Sequence, residues 1–278
     1  MKNLKTTQLF TGIFAIALVV FFSAYQQNDL PTVNYDGNTS LRTVENKAFK
    51  AGEVLEFRLH YGFVNAGVAK IEVNKLDKKI ANRDIYHIVG TGKTVGATDW
   101  FFKVRDRYET FLDAEGVFPW MFVRDINEGG YKKKQKYQFL QTKKKVETHK
   151  GEVYETPEGI QDMLSSFFYA RTLDYSKSKE GDVITIWTFV DEEVWPLKIR
   201  YMGKDQVKVG KTTYNALKFH PVTQKGRIFK HEEDVSFWIS DDENKIPLMI
   251  EAKILIGAVK AELTNAEGLA SPLNIAKK

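Results

Sequence analysis

In the stretch Phe102-Lys103-Val104-Arg105-Asp106-Arg107-Tyr108-Glu109-Thr110-Phe111-Leu112, apolar and polar side chains alternate, so that Phe102, Val104, Tyr108 and Leu112 share one face. A two-residue period is that of a half-buried β-strand. The same period spreads in both directions. Upstream, Val54 to Leu59 and Val68 to Val73 read as a hairpin about a turn from Tyr61 to Gly67. Downstream, Tyr131, Gln135, Tyr137 and Phe139 line one face of a strand whose other face is filled by lysines. After Gly181 the pattern continues through Val183 to Val190, Val194 to Tyr201, Tyr214 to Phe219, Val235 to Ile239, Leu248 to Ile256 and Ala258 to Leu263. Turns are expected at Asp113–Gly116, Gly129-Gly130, Gly203–Asp205, Gly210 and Asp241–Asn244.

One segment has another period. Ile160, Leu164, Phe167 and Phe168 fall at helical spacing, and Pro157 and Glu158 are placed for a helix start, which predicts a helix over 159–175. The fold expected is therefore mainly β: an antiparallel open barrel or a two-sheet sandwich with one central α-helix. Two β-rich lobes would flank that helix within a domain at 47–264, and a C-terminal tail would follow at 265–278. Gly67–Val73 and Gly257–Leu263 are near-repeats that liken the outer hairpins of the two halves, although convergent strand composition explains the match equally well.

The N-terminus points to export. Lys2 and Lys5 precede an uncharged apolar run from Leu9 to Phe22, and Ser23-Ala24 lead into a polar segment. A signal peptide at 1–24 is expected, with a polar leader at 25–46. If it were not removed, the uncharged stretch from Thr6 to Asn28 could act as an anchor instead. The chain has no cysteine, which excludes disulfides and lipidation through cysteine. A periplasmic or envelope-associated location follows.

The chain carries 41 Lys plus Arg against 36 Asp plus Glu, and the excess has one address. Between Tyr131 and Lys150 there are eight lysines and one acid, Glu147. Lys132, Lys134, Lys136, Lys143, Lys144 and Lys145 are expected to form a basic surface patch. It would either meet anionic lipid or acidic glycan or serve as a solvated face that discourages edge pairing. Nucleic acid is not an expected partner for an exported chain.

Motifs for chemistry are scarce. Gly90-Thr91-Gly92-Lys93-Thr94 and Gly210-Lys211-Thr212 resemble the tail of a phosphate loop but lack its first glycine, and both are read as turns. Five histidines show no zinc spacing, no nucleophile elbow occurs, and His231–Asp234 reads as a solvated edge, so neither metal nor cofactor is expected. Two charges stand out because alternation turns them inward: Asp106 on the opening strand and Arg171 on the helix. An inward charge is costly unless paired. Asp106 and Arg171 are expected either to pair with each other or with nearby polar groups, tying the helix to the sheet, or to orient a ligand, with Trp100, Phe102, Phe167 and Phe168 as aromatic wall.

The residues Tyr61–Gly67, Val104–Glu109, Phe118-Pro119, Asp162–Arg171 and Lys253–Gly257 together resemble a family of exported Gram-negative bacterial proteins, domain of unknown function 3108, over most of residues 48–264. That resemblance implies an envelope setting and brings no established activity. The expected function is a periplasmic binding or carrier protein for an apolar or amphipathic envelope component. An envelope structural protein that binds another protein, and a glycan or lipid hydrolase, are the alternatives.

Overall fold

Alternation builds the strands, and it survives in the burial of their residues. In the computed structural model, which describes residues 41–222, 234–254 and 257–277, Leu55, Phe57 and Leu59 are buried while Glu56 and Arg58 between them are partly exposed. The expected signal peptide, most of the leader, and His231 to Glu233 lie outside the described residues.

Among the described residues, fourteen strands follow one another: β1 (Val54–Tyr61), β2 (Val64–Ile80), β3 (Arg83–Thr94), β4 (Arg105–Asp113), β5 (Pro119–Glu128), β6 (Tyr131–Leu140), β7 (Lys145–Thr148), β8 (Val153–Glu155), β9 (Val183–Val190), β10 (Glu193–Val209), β11 (Thr212–Pro221), β12 (Val235–Ser240), β13 (Pro247–Lys253) and β14 (Ala258–Glu267). Among the described residues two α-helices interrupt them, α1 (Gly96–Phe101) and α2 (Met163–Thr172). All fourteen strands form one antiparallel sheet in the order β8 to β1, then β14 back to β9. The expected barrel class is therefore present, and the two β-rich halves are joined in one sheet by the pairing of β1 with β14. The near-repeats Gly67–Val73 and Gly257–Leu263 lie on the two strands that flank β1.

The sheet curls until its ends meet. Phe189 of β9 packs on Tyr137 of β6 at 5.0 Å and on Tyr154 of β8 at 5.2 Å. The edge backbone is met by Gln161, whose N–H donates to Trp187 O and whose carbonyl accepts from Phe189 N–H. This is an open barrel with a seam filled by the segment that leads into α2.

Asp162 starts α2. Its carboxylate accepts from the N–H groups of Leu164 (2.7 Å) and Ser165 (2.8 Å), while Ser165 Oγ accepts from the backbone N–H of Asp162. This reciprocal capping box satisfies donors that a helix end leaves free. The other oxygen of Asp162 accepts from Thr110 Oγ1 on β4 at 2.6 Å, which ties the helix start to the barrel wall. Buried Phe168 packs on Phe49 of the strap at 41–53 that precedes β1.

Several expected boundaries move. The helix begins at Met163 and not near 159, because Gly159 turns at positive φ and Gln161 pairs with β9. Phe102 belongs to no strand. Gly96, at φ +58°, opens the short α1, and Phe102 closes it by donating its N–H to Thr98 O. The turn between β1 and β2 shrinks to Gly62-Phe63, and Gly90–Thr94 lies within β3. Gly203 makes a bulge in β10 and not a turn.

Candidate functional site

The strand registers place a continuous inward row across neighbouring strands. Tyr201 lies opposite Phe219, Phe219 opposite Phe237, Phe237 opposite Ile250, Ile250 opposite Ala261, and Ala261 opposite Leu59. Helix α2 presents Phe167 and Ala170 toward this wall. Between them lies a cavity of about 370 Å³. Its lining is overwhelmingly apolar; the exceptions include Ser166, Tyr108, Tyr175, Arg171 and Lys245. Tyr175 is committed elsewhere, its hydroxyl donating to Ala170 O.

Arg171 is tied to the protein by four hydrogen bonds. Nη1 and Nη2 donate to the two oxygens of Glu53 at 2.6 and 2.7 Å, Nη2 to Ala48 O at 2.9 Å and Nε to Asn244 O at 2.8 Å. The rings of Phe49, Phe167 and Phe168 surround its guanidinium at 5.2–5.5 Å. A paired fork of this kind fixes geometry as well as charge. The expected Asp106–Arg171 pair does not form: Arg171 binds Glu53, which enters the barrel just ahead of β1.

Asp106 faces inward as alternation requires, and its partner is Glu128. The two carboxyls share a hydrogen bond, and Asp106 also accepts from Asn127 N–H at 2.6 Å. Burial pushes the Asp106 carboxyl up to about 7, against the pull of the Asn127 N–H, and the charge of Glu128 raises it further. Glu128 is raised too, chiefly by burial. One proton held between them keeps two buried carboxyls from both ionising. Nearby on the same face, Arg124 bonds to Gln135 and to Asp191 at the β9–β10 turn, and Lys133 joins Asp191 at 2.7 Å.

The aromatic candidates separate. Phe167 lines the cavity, Phe168 is buried in the core, Phe102 is half-buried beside Gly129, and Trp100 stands out in solvent on α1. The lysines of the basic segment find carboxylates that the local sequence does not contain: Lys134 with Asp125, Lys144 with Glu158, Lys145 with Glu155 and Lys150 with Glu192. Lys132 and Lys134 are exposed, and Lys132, Lys134 and Lys136 lie opposite Asn127, Asp125 and Val123 of β5. Lys143 closes the short 3-10 turn after β6.

Sequence reasoning missed Glu53, Arg124 and Glu128, although the signal that found Asp106 reaches them. Glu53 continues the inward register of Leu55, Phe57 and Leu59, and Arg124 and Glu128 share the face of Phe122 and Ile126.

The family model of a protein of unknown function, DUF3108, matches residues 56–264. The chain belongs to this family. DUF3108 carries no assigned activity, and no curated protein matches the chain. Three solved structures are similar in outline. The β-barrel-like DUF1849 protein of Brucella abortus shares 11% identity over 86% of this chain and 100% of its own, with a TM-score of 0.49. A DUF1089 family protein of Pseudomonas aeruginosa shares 10% over 78% and 95%, at 0.28. A Bacteroides fragilis protein described as exported, with a YmcC-like fold, shares 9% over 81% and 99%, at 0.29. Among the described residues of this DUF3108 chain, no helix is long and apolar enough to cross a membrane, and no cluster of metal-ligating side chains occurs.

Proposed function

We propose that this DUF3108 protein is an exported binding or carrier protein of the cell envelope that takes an apolar or amphipathic molecule into its barrel. The observation that carries this reading is the cavity between α2 and the inward row from Tyr201 to Leu59. Its volume of about 370 Å³ falls within the range of roughly 300–1,000 Å³ common to small-molecule sites. Its walls offer apolar surface with few polar groups, which suits a hydrocarbon body. Lys245, a partly exposed lining residue, suits an anionic head.

The alternatives have less support. Strand addition needs a free edge, but β8 is three residues long and β9 is already met by Gln161. A glycosidase holds its two carboxyls roughly 5–9.5 Å apart, with substrate or water between them, whereas Asp106 and Glu128 bond directly to each other.

The test is to purify the protein from its native envelope, extract it with organic solvent and analyse the extract by mass spectrometry. A stoichiometric apolar or amphipathic species is expected. Ala261→Trp, which fills the space between Leu59 and Ile250, should displace that species and weaken binding of a fluorescent fatty acid while the far-ultraviolet spectrum stays unchanged. An empty extract combined with no binding of the fatty acid refutes the carrier reading.

A further inference from the structure

Among the described residues, the exposed aromatic side chains other than Trp187 gather in one place. Phe63 is 106% exposed, Trp100 82%, Phe101 77%, Tyr131 54% and Tyr61 41%, and the registers put all five at one end of the barrel. Tyr61 ends β1 and Phe63 sits in the turn to β2; Thr94 ends β3 opposite Gly67, and α1 follows directly. Tyr131 starts β6 after the Gly129-Gly130 turn, opposite Glu128. Backbone hydrogen bonds tie the three turns together, from Val95 N–H to Ala66 O and from Gly129 N–H to Lys103 O. The strap, Asn244 and the last turn of α2 lie at the other end.

We propose that this aromatic rim docks on the surface of an anionic lipid bilayer. An isolated Phe or Trp in solvent needs no explanation, but five aromatic side chains on three adjoining turns do. A protein partner would need a separate recess for each projecting tip. A bilayer interface accepts them at any spacing, and aromatic side chains favour it. Charge agrees with that choice. Lys93, Lys103 and Lys132 are exposed along the same rim. The acids nearby are already engaged, Asp99 by Arg105, Glu262 by Arg58 and Glu251 by Lys260. The rim therefore offers apolar tips with a surplus of lysines, the composition that binds anionic interfaces. It also adjoins the cavity, since Leu59 lies two residues before Tyr61 on β1. The docking surface is independent of what the cavity holds.

The test uses the full chain with vesicles of phosphatidylglycerol and phosphatidylethanolamine whose acyl chains are brominated, reading quenching of tryptophan fluorescence. Quenching is expected at low salt and should weaken at high salt as the lysines are screened. Trp100→Phe should remove most of it, while Trp187→Phe, which alters an exposed tryptophan away from the rim, should leave it in place. Phe63→Ser with Phe101→Ser should weaken vesicle affinity about tenfold through lost apolar burial. The paired control Val153→Ser with Ile275→Ser, also exposed, should leave affinity unchanged. Quenching that survives Trp100→Phe, or that follows Trp187, overturns the proposal. Binding indifferent to Phe63 and Phe101 overturns it as well and assigns vesicle attachment to the N-terminal apolar run. No quenching by these vesicles overturns it in favour of a protein partner.

Discussion

Replacing Arg171 by methionine removes four hydrogen bonds at once and leaves the Glu53 carboxylate buried without a counter-charge. Breaking one side of a buried pair costs about 3–5 kcal/mol, because the surviving charge stays out of water. The carbonyls of Ala48 and Asn244 also lose their donor, at about 1 kcal/mol or more each if water does not reach them. With a urea dependence of roughly 3 kcal/mol per molar, the unfolding midpoint of Arg171→Met should fall by about 1–2 M. Glu53→Leu should cost a similar amount by stranding the guanidinium. The double variant Arg171→Met with Glu53→Leu removes both charges together and should lose no more than either single one, giving a coupling of about 3 kcal/mol. Urea titrations of the four proteins, followed by tryptophan fluorescence, decide it. Additive losses, or single losses below about 1 kcal/mol, would show that the pair does not hold the strap and the β12–β13 turn onto α2.

The Asp106–Glu128 pair makes stability depend on pH. A carboxyl whose folded pKa stands near 7, above an unfolded value of about 4, contributes most below pH 4 and loses that contribution as pH rises to about 7. Asp106→Asn, which can still donate to Glu128, should match the wild type near pH 4 and exceed it at pH 8; parallel urea midpoints across that range refute the shared proton. Asp162→Ala removes the α2 cap and the partner of Thr110, for about 1–2 kcal/mol or more, and should lower Tm by roughly 2–8 °C in calorimetry, with Asp162→Asn losing less. An unchanged Tm would count against the capping box as an anchor. Gly268 turns at φ +64°, and a Cβ there would lie 2.0 Å from Gly52 O. Gly268→Ala should therefore free the C-terminal tail to trypsin, while Gly151→Ala, at φ +81° in open space, should not alter cleavage.

The strands were legible because burial on one face imposes a period on residues close in sequence. That local rule read β4, β6 and most of β9 to β14, and it turned Asp106 and Arg171 inward. It could not name their partners. Arg171 meets Glu53 across 118 positions, and Asp106 meets Glu128 because β5 runs beside β4; each pairing depends on which strands become neighbours. The same limit explains the lysine segment, whose charge excess is real in sequence but partly answered by acids from β5, β8 and the β9–β10 turn. Helix α1 escaped notice for a different reason. Six residues are too few to show a helical period, and the apolar side chains of Trp100 and Phe101 extend the neighbouring strand pattern. Their clustering with Phe63 and Tyr131 exists only once the turns have been brought to one end.

The pairing of β1 with β14 bears on how the molecule is made. Every other neighbouring pair of strands can zip to the strand just before or after it, at the cost of a short loop. The junction of the two halves must instead wait for the final strand, since Arg58 meets Glu262 from 204 positions away. Until the ribosome has released residue 267, the first strand lacks its second neighbour and the halves can form only as separate meanders. Long-range closure of this kind is slow. A chain that stays uncommitted while it is synthesised remains threadable, which is the state a translocation channel requires. For the exported protein proposed above, completion would then fall to the far side of the membrane.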